Sequence, residues 1–376
     1  MLEIKREKEE GKCLLCGEEY PVISSSLGIC LNCIRGNFSM SYPYIKAVHR
    51  ESRNRFNLPA EPPRSERGVV CPLCVNQCRI AEGERGFCGL RENRNGKLFH
   101  RGGTPERGLV EWYYDSLPTN CVADWVCPGG SESGYPQFSY SQAAEYGYKN
   151  LAVFYNSCTF NCLFCQNWHY RQRVENSNIL SASQLAERVN ELTACICYFG
   201  GDPTSQIMHA VKTSQLALKE TEGRILRICW ESNGSMNRSW LKKMAELSLK
   251  SGGCIKFDLK AWNENLHRAL TGVTNHRTLD NFRYLATIAR SRPNPPFLIA
   301  STLLVPGYID VKEVRDIARF IADCWAEIPY SLLAFYPHFY MRELPTTSRE
   351  LAFECAEAAR KEGLSRVRIG NIHLLC

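Results

Sequence analysis

The sequence has no apolar run of the roughly 18 residues that a membrane-spanning helix requires, and its first twelve residues, MLEIKREKEEGK, are mostly charged. Neither a signal peptide nor a transmembrane helix is therefore expected. Dense blocks of lysine and arginine are also lacking, because the formal net charge of +7 is spread along the chain. We accordingly expect a cytoplasmic protein that makes no membrane contact, and nucleic acid is not favoured as a partner.

Low-complexity tracts and internal repeats do not stand out either. With 44% hydrophobic and 23% charged residues, the composition is that of a globular protein rather than a disordered one. At 376 residues the chain is too long for one small core. These figures predict one large domain with an appendage.

Twenty cysteines stand out against this ordinary composition. A disulfide framework is disfavoured, because disulfides are rare in a reducing cytosol and no secretion signal is present. Cysteines of cytosolic proteins bind metal ions as thiolates or pack in the core as small apolar side chains more often than they form disulfides. Most of these cysteines occur in pairs and triplets, which favours metal binding.

The chain divides into three predicted regions. Residues 1–52 hold one cysteine quartet and are interpreted as a segment similar to rubredoxin or a zinc ribbon. Residues 53–149 hold a proline-rich, charged linker (53–67) and a second quartet. In residues 150–376, short β-branched or apolar runs alternate with amphipathic segments, which is typical of βα units around a parallel sheet.

Seven strands are predicted after residue 150, with helices such as ASQLAERVNEL between them. The predicted strands cover residues 151–157, 195–201, 224–232, 254–261, 296–305, 331–336 and 367–375. Six or seven such units predict an α/β fold: a partial (β/α)6 barrel similar to a TIM barrel, with a cysteine-rich, metal-stapled extension before it.

The first of these strands ends in NSCTFNCLFCQNW, which places Cys158, Cys162 and Cys165 on one loop. Barrel enzymes build their sites at this carboxyl end of the strands. An iron–sulfur cube takes one thiolate per iron, so three cysteines leave one iron open to a small molecule. The alternative is a zinc knuckle with a distant fourth ligand.

This C-x3-C-x2-C motif, with Phe164 before the last cysteine, resembles the radical S-adenosylmethionine (SAM) superfamily. The resemblance implies a [4Fe–4S] cluster whose open iron chelates the amino and carboxylate groups of SAM. It also implies one-electron cleavage of the sulfonium to a 5′-deoxyadenosyl radical, which removes an unactivated hydrogen atom.

Further motifs agree with this resemblance. Gly200, Gly201 and Asp202 stand in GGDP, where the family usually has GGEP, so the shorter carboxylate of Asp202 leaves its role open. The glycines permit close backbone approach, and their carbonyls are expected to accept hydrogen bonds from the SAM ammonium. On its own, GGDP would be interpreted as a turn that ends a strand.

The next two strands carry the remaining cofactor-binding candidates. WESNG resembles the family's ETNG segment, which binds the ribose or the methionyl carboxylate, and contributes Glu231, Ser232 and Asn233. In DLK, Asp258 and Lys260 alternate onto one face of a strand, so Lys260 is a candidate partner of the SAM carboxylate. An internal ion pair between these two residues is the alternative.

Three more segments extend the resemblance over residues 150–376: LLVPGYID, AFYPHFY and IGNIHLL. The second of them places His338 near the mouth of the predicted site.

Two cysteine quartets precede the predicted barrel. The first, with spacing C-x2-C-x13-C-x2-C, suits tetrahedral zinc or mononuclear iron and is predicted to be structural, with electron transfer through iron as the alternative. The second is similar to the amino-terminal segment of radical SAM proteins of the AmmeMemoRadiSam type and of pyruvate-formate-lyase-activase-like ones, and is expected to close a second such site. The ligands are Cys13, Cys16, Cys30 and Cys33 in the first quartet and Cys71, Cys74, Cys78 and Cys88 in the second.

The other nine cysteines receive no ligand role. Cys121, Cys127 and Cys376 are left unassigned. Six that fall within predicted strands and helices are expected to pack in the core: Cys195, Cys197, Cys229, Cys254, Cys324 and Cys355.

The resemblance implies an enzyme that modifies a residue of a protein or peptide, served by an electron donor. The closest similarity is to the cobalamin-dependent C-methyltransferases of methanogens, which implies methylation of a glutamine α-carbon in methyl-coenzyme M reductase. No separate cobalamin-binding domain is apparent, so cobalamin would lie at the mouth of the barrel or at its lower opening. A glycyl-radical-enzyme activase is the alternative, although the chain lacks the ferredoxin-like insertion that many such activases carry after the triplet. A third alternative, a non-catalytic zinc-ribbon binding protein, would not explain the cysteine triplet.

Overall fold

The computed structural model describes residues 11–175 and 177–376, so the first ten residues of the predicted segment 1–52 lie outside it. Its strands are β1 (Val69–Val70), β2 (Arg79–Ile80), β3 (Arg91–Arg94), β4 (Lys97–His100), β5 (Gly108–Ser116), β6 (Lys149–Tyr155), β7 (Ile179–Leu180), β8 (Thr193–Phe199), β9 (Arg227–Ser232), β10 (Ile255–Asp258), β11 (Leu298–Leu304), β12 (Tyr330–Ala334) and β13 (Val367–Gly370). Its helices are α1 (Leu31–Gly36), α2 (Phe38–Asn54), α3 (Tyr170–Arg173), α4 (Ala182–Ala186), α5 (Ile207–Glu220), α6 (Arg238–Ser251), α7 (Glu264–Thr271), α8 (His276–Ala289), α9 (Val311–Trp325) and α10 (Arg349–Lys361).

Nine of these strands form one sheet in the order β13-β12-β11-β10-β9-β8-β6-β5-β7. The seven strands β6 and β8 to β13 pair in parallel, each with the next. They are the seven predicted strands, and helices connect them, so the predicted α/β partial barrel is confirmed. The largest difference in bounds is at the last strand, which was predicted to reach residue 375 but ends at Gly370.

Capping residues mark the ends of the connecting helices. The side chain of Asp310 accepts a hydrogen bond from the backbone N–H of Glu313 and so caps α9, whose buried face repeats at helical spacing through Val314, Ile317, Ala318 and Ile321. Helix α6 ends at Gly252, which has φ of 78°. None of the described helices is long and apolar enough to cross a membrane.

Strand β5 was not predicted, and it changes the boundary between the regions. It pairs antiparallel with β6 over seven residues, from Val110 opposite Tyr155 to Ser116 opposite Lys149. The expected boundary at residue 149 therefore divides a sheet that is continuous in the structure. The second half of β5 is only partly covered, so its sequence, GLVEWYYDS, lacks the apolar run of the buried strands.

The predicted linker, residues 53–67, is partly built into the fold. Arg53 lies in the last turn of α2, is fully buried, and places its guanidinium 3.6 Å from the ring centroid of Phe87. The hairpins β1–β2 and β3–β4 follow, and the backbone N–H of Val75 donates to the carbonyl of Ser235 at 2.9 Å. The cysteine-rich region therefore packs directly against the barrel.

A buried ion pair holds the segment between β5 and β6 inside the barrel. Arg227, on β9, donates from Nη1 to Oε1 of Glu145 at 2.9 Å and to the carbonyl of Phe138 at 2.8 Å. Neither charged side chain of the pair is more than 2% exposed. Since an unpaired charge here would be costly, the pair fixes the path of this segment.

Candidate active site

The cysteine triplet lies on the loop that connects β6 to α3. The backbone N–H groups of Asn161 and Leu163 donate to the carbonyls of Thr271 and Leu270, at 2.8 and 3.0 Å, and hold this loop against the end of α7. Cys158, Cys162 and Cys165 all line one cavity of about 350 Å³, as does Phe164. The cavity lies at the carboxyl ends of the parallel strands, where α/β enzymes bind their ligands.

Burial disfavours the thiolate form of two of the three cysteines. Burial raises the pKa of Cys158 well above its ordinary value and the pKa of Cys162 to about 12. The thiolates therefore need compensating positive charge, which bound iron supplies.

The sulfurs of the triplet are less compactly arranged than those of the first quartet. A single tetrahedral zinc holds its cysteine sulfurs about 3.8 Å apart, whereas a cubane with one thiolate per iron holds them about 6 Å apart. Among the described residues, the only metal-binding set whose ligand atoms all lie within 4.8 Å of one another is Cys13, Cys16, Cys30 and Cys33. The sulfurs of the triplet therefore do not all lie as close together as those of the first quartet.

The glycine pair after β8 is required by close backbone packing. Gly200 has φ of 63° and Gly201 has φ of 47°. A Cβ atom on Gly201 would lie 2.1 Å from the carbonyl oxygen of Tyr155 and 2.4 Å from that of Ser157. The backbone N–H of Asp202 donates to the same Ser157 oxygen at 2.8 Å. Only glycine can bring this loop so close to the cysteine loop.

Asp202 acts as a brace between two loops of the site. One carboxylate oxygen accepts a hydrogen bond from the backbone N–H of Thr204 at 2.7 Å. The other accepts from the backbone N–H of Asn233 at 2.7 Å and from Ser232 Oγ at 3.1 Å. Burial raises the pKa of this carboxyl group, although these hydrogen bonds oppose the rise. The aspartate that departs from the family's usual glutamate thus has protein partners on both oxygens, and we interpret it as a positioning residue.

The WESNG segment contributes two different contacts. Asn233 Nδ2 donates to Thr159 Oγ1 at 2.8 Å and lies 3.9 Å from Cys158 Sγ, so it touches the cysteine loop directly. Glu231 forms an ion pair with the buried Lys256 at 2.9 Å. Both Asn233 and Glu231 line the cavity.

Asp258 and Lys260 face the cavity as a pair. Their charged groups are 2.8 Å apart, and Ser301 Oγ donates to the other oxygen of Asp258 at 2.9 Å. Burial alone would lower the pKa of Lys260, but the neighbouring Asp258 carboxylate raises it above its ordinary value. The ammonium is therefore charged, and the internal ion pair that was an alternative to ligand binding exists on the wall of the cavity itself.

His338 lies outside the residues that line this cavity. Its ring lies beside Tyr336, with centroids 5.2 Å apart. The next residue, Phe339, stacks on Trp168 of the cysteine loop at 5.6 Å. The segment therefore packs against the loop that holds the triplet, with Phe339 rather than His338 making the ring contact.

Two buried arginines beside the triplet were not identified from the sequence. Arg171, on α3, lines the cavity and donates from Nη2 to Asn161 Oδ1 at 3.3 Å. Burial lowers the pKa of Arg53 to about 10. Both side chains are about 98% or more buried, so they bring positive charge close to the cysteine loop. Arg53 comes from the predicted linker and Arg171 from a four-residue helix, and neither segment carried a signal that pointed to the site.

The wall opposite the cysteine loop comes from the segment between β5 and β6. Asp124 and Trp125 line the cavity there, together with Cys121. Trp125 Nε1 donates to Ser331 Oγ at 3.1 Å, and Arg368 forms an ion pair with Asp124 at 2.5 Å. A region assigned to the extension by sequence therefore completes the cavity.

Beneath this cavity lies a second one, of about 120 Å³, in the interior of the barrel. Four cysteines expected to pack in the core line it, and so do two that were left unassigned: Cys195, Cys197, Cys229, Cys254, Cys121 and Cys127. Lys256 Nζ lies 3.0 Å from Cys121 Sγ and 3.2 Å from Cys197 Sγ. Cys355 is buried, Cys324 is partly buried and Cys376 is exposed.

The first quartet has the geometry of a mononuclear site. Its four sulfurs lie within 4.8 Å of one another, and the backbone N–H of Cys30 donates to Cys13 Sγ at 3.4 Å. Burial would raise the pKa of Cys13, but backbone hydrogen bonds from Cys16, Cys30 and Leu15 lower it to about 7. The predicted cysteine cluster in this segment is confirmed.

The second quartet is arranged less compactly than the first. Its four cysteines line one small cavity, yet their sulfurs are not gathered within 4.8 Å as those of the first quartet are. That Cys71, Cys74, Cys78 and Cys88 hold a single zinc or iron ion stays a prediction. The spacing depends on how the hairpins fold, which the C-x2-C-x3-C-x9-C pattern does not fix.

Comparison with known proteins agrees with the site. Residues 152–321 match the radical SAM superfamily. An uncharacterized protein of Methanocaldococcus jannaschii is 25% identical over 311 residues, 81% of each chain. The isethionate sulfite-lyase activating enzyme of Desulfovibrio desulfuricans is 32% identical over 173 residues, which are 44% of this chain and about half, 51%, of that enzyme. A solved domain of a pyruvate-formate lyase-activating enzyme from Bacteroides vulgatus overlaps 46% of this chain and 98% of its own, with 18% identity and a TM-score of 0.37.

Proposed function

We propose that this chain, which carries a radical SAM domain over residues 152–321, removes a hydrogen atom from a residue of a protein or peptide substrate. One observation carries the proposal: the three cysteines, the glycine pair and the Asp258–Lys260 pair line the same cavity. When bound there, a [4Fe–4S] cluster and SAM supply reductive cleavage of the sulfonium and a radical that abstracts hydrogen.

The residues of the chain have separate tasks in this proposal. Cys158, Cys162 and Cys165 hold the cluster, and the charged ammonium of Lys260 faces the cavity as a partner for a carboxylate. The carbonyls of the glycine loop accept hydrogen bonds from an ammonium group. Asp202 positions the glycine loop and the WESNG loop relative to each other.

A macromolecular substrate is supported by the relatives. Several matched proteins are named as activating enzymes, among them those for isethionate sulfite-lyase and pyruvate formate-lyase 1. By analogy, this chain acts on a protein or peptide whose reactive residue reaches into the cavity. The matched part of each activating enzyme is about half its length, so substrate identity is part of the proposal.

The finer form of the proposal is cobalamin-dependent methylation of a glutamine α-carbon in methyl-coenzyme M reductase. Of the two places considered for cobalamin, the lower opening of the barrel is too small. The cavity there has a volume of only about 120 Å³ and is lined by Cys197, Lys256 and Arg227. A corrin would have to lie at the mouth of the larger cavity.

A glycyl-radical-enzyme activase is the second candidate, and the named activating enzymes among the relatives favour it. The two candidates require the same cysteine loop. They differ in whether a corrin is bound and in the product, because methylation adds a carbon to the substrate and activation leaves a radical on a glycine.

The test starts from anaerobically purified protein, because its visible spectrum separates corrin from iron–sulfur absorption. The reduced protein is then incubated with SAM and either a glutamine-containing peptide of methyl-coenzyme M reductase or a glycyl-radical enzyme. We expect 5′-deoxyadenosine, with a methylated peptide in the first case or a glycyl radical signal in the second. Fully loaded protein that releases no 5′-deoxyadenosine with or without substrate would contradict the proposed function.

Replacing Asp202 by asparagine is predicted to weaken SAM binding. An amide offers only one oxygen, so either Thr204 N–H or the donors of Ser232 and Asn233 would face an N–H2 group. An unsatisfied buried donor costs about 1–3 kcal/mol. Since the loops must return to their positions for SAM to bind, we expect a loss of up to about 5- to 150-fold in SAM affinity. Equilibrium dialysis with labelled SAM at equal iron content measures this effect.

The matched control is Asp280→Asn, an exposed aspartate on α8. It should bind SAM as the unaltered protein does. Unchanged SAM affinity in Asp202→Asn at full iron content would show that the brace does not shape the cofactor site.

A further inference from the structure

The second cysteine quartet encloses a small site next to the loop of the triplet. Cys71, Cys74 and Cys78 lie on or beside the hairpin β1–β2, and the backbone N–H of Cys71 donates to the carbonyl of Cys78 at 2.8 Å. Cys88 follows on the turn before β3. All four line a single cavity of about 10 Å³.

The sulfur spacing in this chain separates two kinds of site. The first quartet is compact, with Cys13 Sγ 3.9 Å from Cys33 Sγ, as a single tetrahedral ion requires. The triplet, for which a cluster is proposed, is wider. Among the described residues, neither the triplet nor the second quartet forms a set whose sulfurs all lie within 4.8 Å of one another.

The cavity that the four cysteines line, together with Arg91 and Thr159, is a second observation. Four thiolates about 2.3 Å from one zinc leave no space for a water-sized sphere between them. The cavity of about 10 Å³ is close to the smallest that admits one water molecule. The second quartet therefore lines an open space that thiolates around a single ion would close, and the wider ring of thiolates around a cubane suits such a space.

The charge around the cavity suits an anionic group. Arg91 lines it and is 1% exposed, and its Nε is a buried donor with no partner among the described residues. Its two terminal nitrogens donate to the carbonyls of Gly102 and Ser205, each at 2.8 Å. The backbone N–H of Phe87 points to Cys78 Sγ at 3.4 Å. A buried cation with a free N–H and an N–H···S contact are both features that stabilise an iron–sulfur cluster.

The site shares a wall with the triplet. Thr159, the neighbour of Cys158, lines this cavity as well. Asn76 Nδ2 donates to the carbonyl of Thr159 at 2.7 Å, and Ser157 Oγ donates to the carbonyl of Cys88 at 2.9 Å. A group bound by the second quartet would therefore lie directly beside the cysteine loop of the active site.

We propose that Cys71, Cys74, Cys78 and Cys88 bind a second iron–sulfur cluster of the [4Fe–4S] type, and not zinc or a single iron. This proposal depends on the geometry of the quartet alone and is independent of the reaction proposed for the chain. It assigns the cysteine-rich extension to iron–sulfur binding beside the active site.

The first experiment isolates this site. In the variant Cys158→Ala, Cys162→Ala, Cys165→Ala, reconstituted anaerobically with iron and sulfide, we expect about four iron and four acid-labile sulfide per chain at the second quartet. Metal at the first quartet adds one ion and no sulfide. Mössbauer spectroscopy should show the cubane signal. Zinc or iron without labile sulfide in this variant would overturn the proposal.

A second measurement covers the case in which the triple variant does not fold. The unaltered chain should hold about eight labile sulfides, against about four if only the triplet binds a cluster. Cys74→Ser should lower the sulfide content by about half, whereas Cys324→Ser, a partly buried cysteine on α9, should leave it unchanged. A sulfide content of about four in unaltered protein overturns the proposal even if the radical reaction is found.

Discussion

Replacing Cys162 by alanine is expected to abolish the reductive cleavage of SAM, with a loss of at least about a hundredfold in 5′-deoxyadenosine formation. One of the three thiols that line the cavity would be missing, and the iron that it ligates would lose its only protein partner. Because metal sites with an incomplete ligand set lose their metal, the variant should carry no stable cluster on this loop. The measurement is chromatographic quantification of 5′-deoxyadenosine under strong reductant.

The control is Cys355→Ala, which removes a fully buried thiol from α10, away from both cavities. It should retain the cleavage activity. In the Cys162 variant, metal analysis should still find the ion of the first quartet, because Cys13, Cys16, Cys30 and Cys33 are untouched. Undiminished 5′-deoxyadenosine formation in Cys162→Ala would falsify the assignment of the triplet as cluster ligands.

Replacing Cys30 by serine is expected to remove the ion of the first quartet and to unfold the segment around it. Structural zinc contributes about 10–16 kcal/mol to the folding of isolated zinc-finger peptides. Loss of the ion would expose Leu27, Ile29 and Ile34, which are completely buried. We expect mass spectrometry to show the loss of one metal equivalent. We also expect limited proteolysis to cleave the chain rapidly before α2.

The consequences should extend to the barrel, because this segment is anchored on it. Arg35 pairs with Asp310 at 2.7 Å and with Glu313 at 2.8 Å, at the start of α9. The hydroxyl of Tyr308 donates to the carbonyl of Ile29 at 3.2 Å. Asn32→Ala, an exposed change on the same helix α1, is the control and should keep the metal. Full protease resistance of metal-free Cys30→Ser would show that the ion is dispensable for this fold.

Much of the barrel was predictable from the sequence. Buried parallel strands are continuous apolar runs, so CICYFGG and PFLIASTLLV indicated strands that form as β8 and β11. Strand β5 was not predicted because its partly exposed residues mix polar and aromatic types. Its place in the sheet depends on pairing with β6, which lies more than thirty residues later in the chain.

The residues of the candidate active site also differ in whether a local sequence signal pointed to them. The GGDP motif after a predicted strand indicated a close backbone approach at Gly200 and Gly201. In the structure both residues have positive φ angles, and a side chain on Gly201 would collide with the carbonyl oxygen of Tyr155. The role of Asp202 was open in the sequence, since its partners Ser232 and Asn233 lie on another strand. Arg53 and Arg171 had no local signal, because their importance comes from burial beside residues far away in the chain.

The sequence by itself determined which cysteines share a loop and which loops follow parallel strands, because spacing along the chain fixes both. Only the tertiary structure decided how the sulfurs of each group are arranged: among the described residues, those of the first quartet all lie within 4.8 Å of one another, and those of the triplet and of the second quartet do not. The reason is physical: the distance between thiols depends on how hairpins and strand ends pack against each other. That distance selects between one metal ion and a cluster.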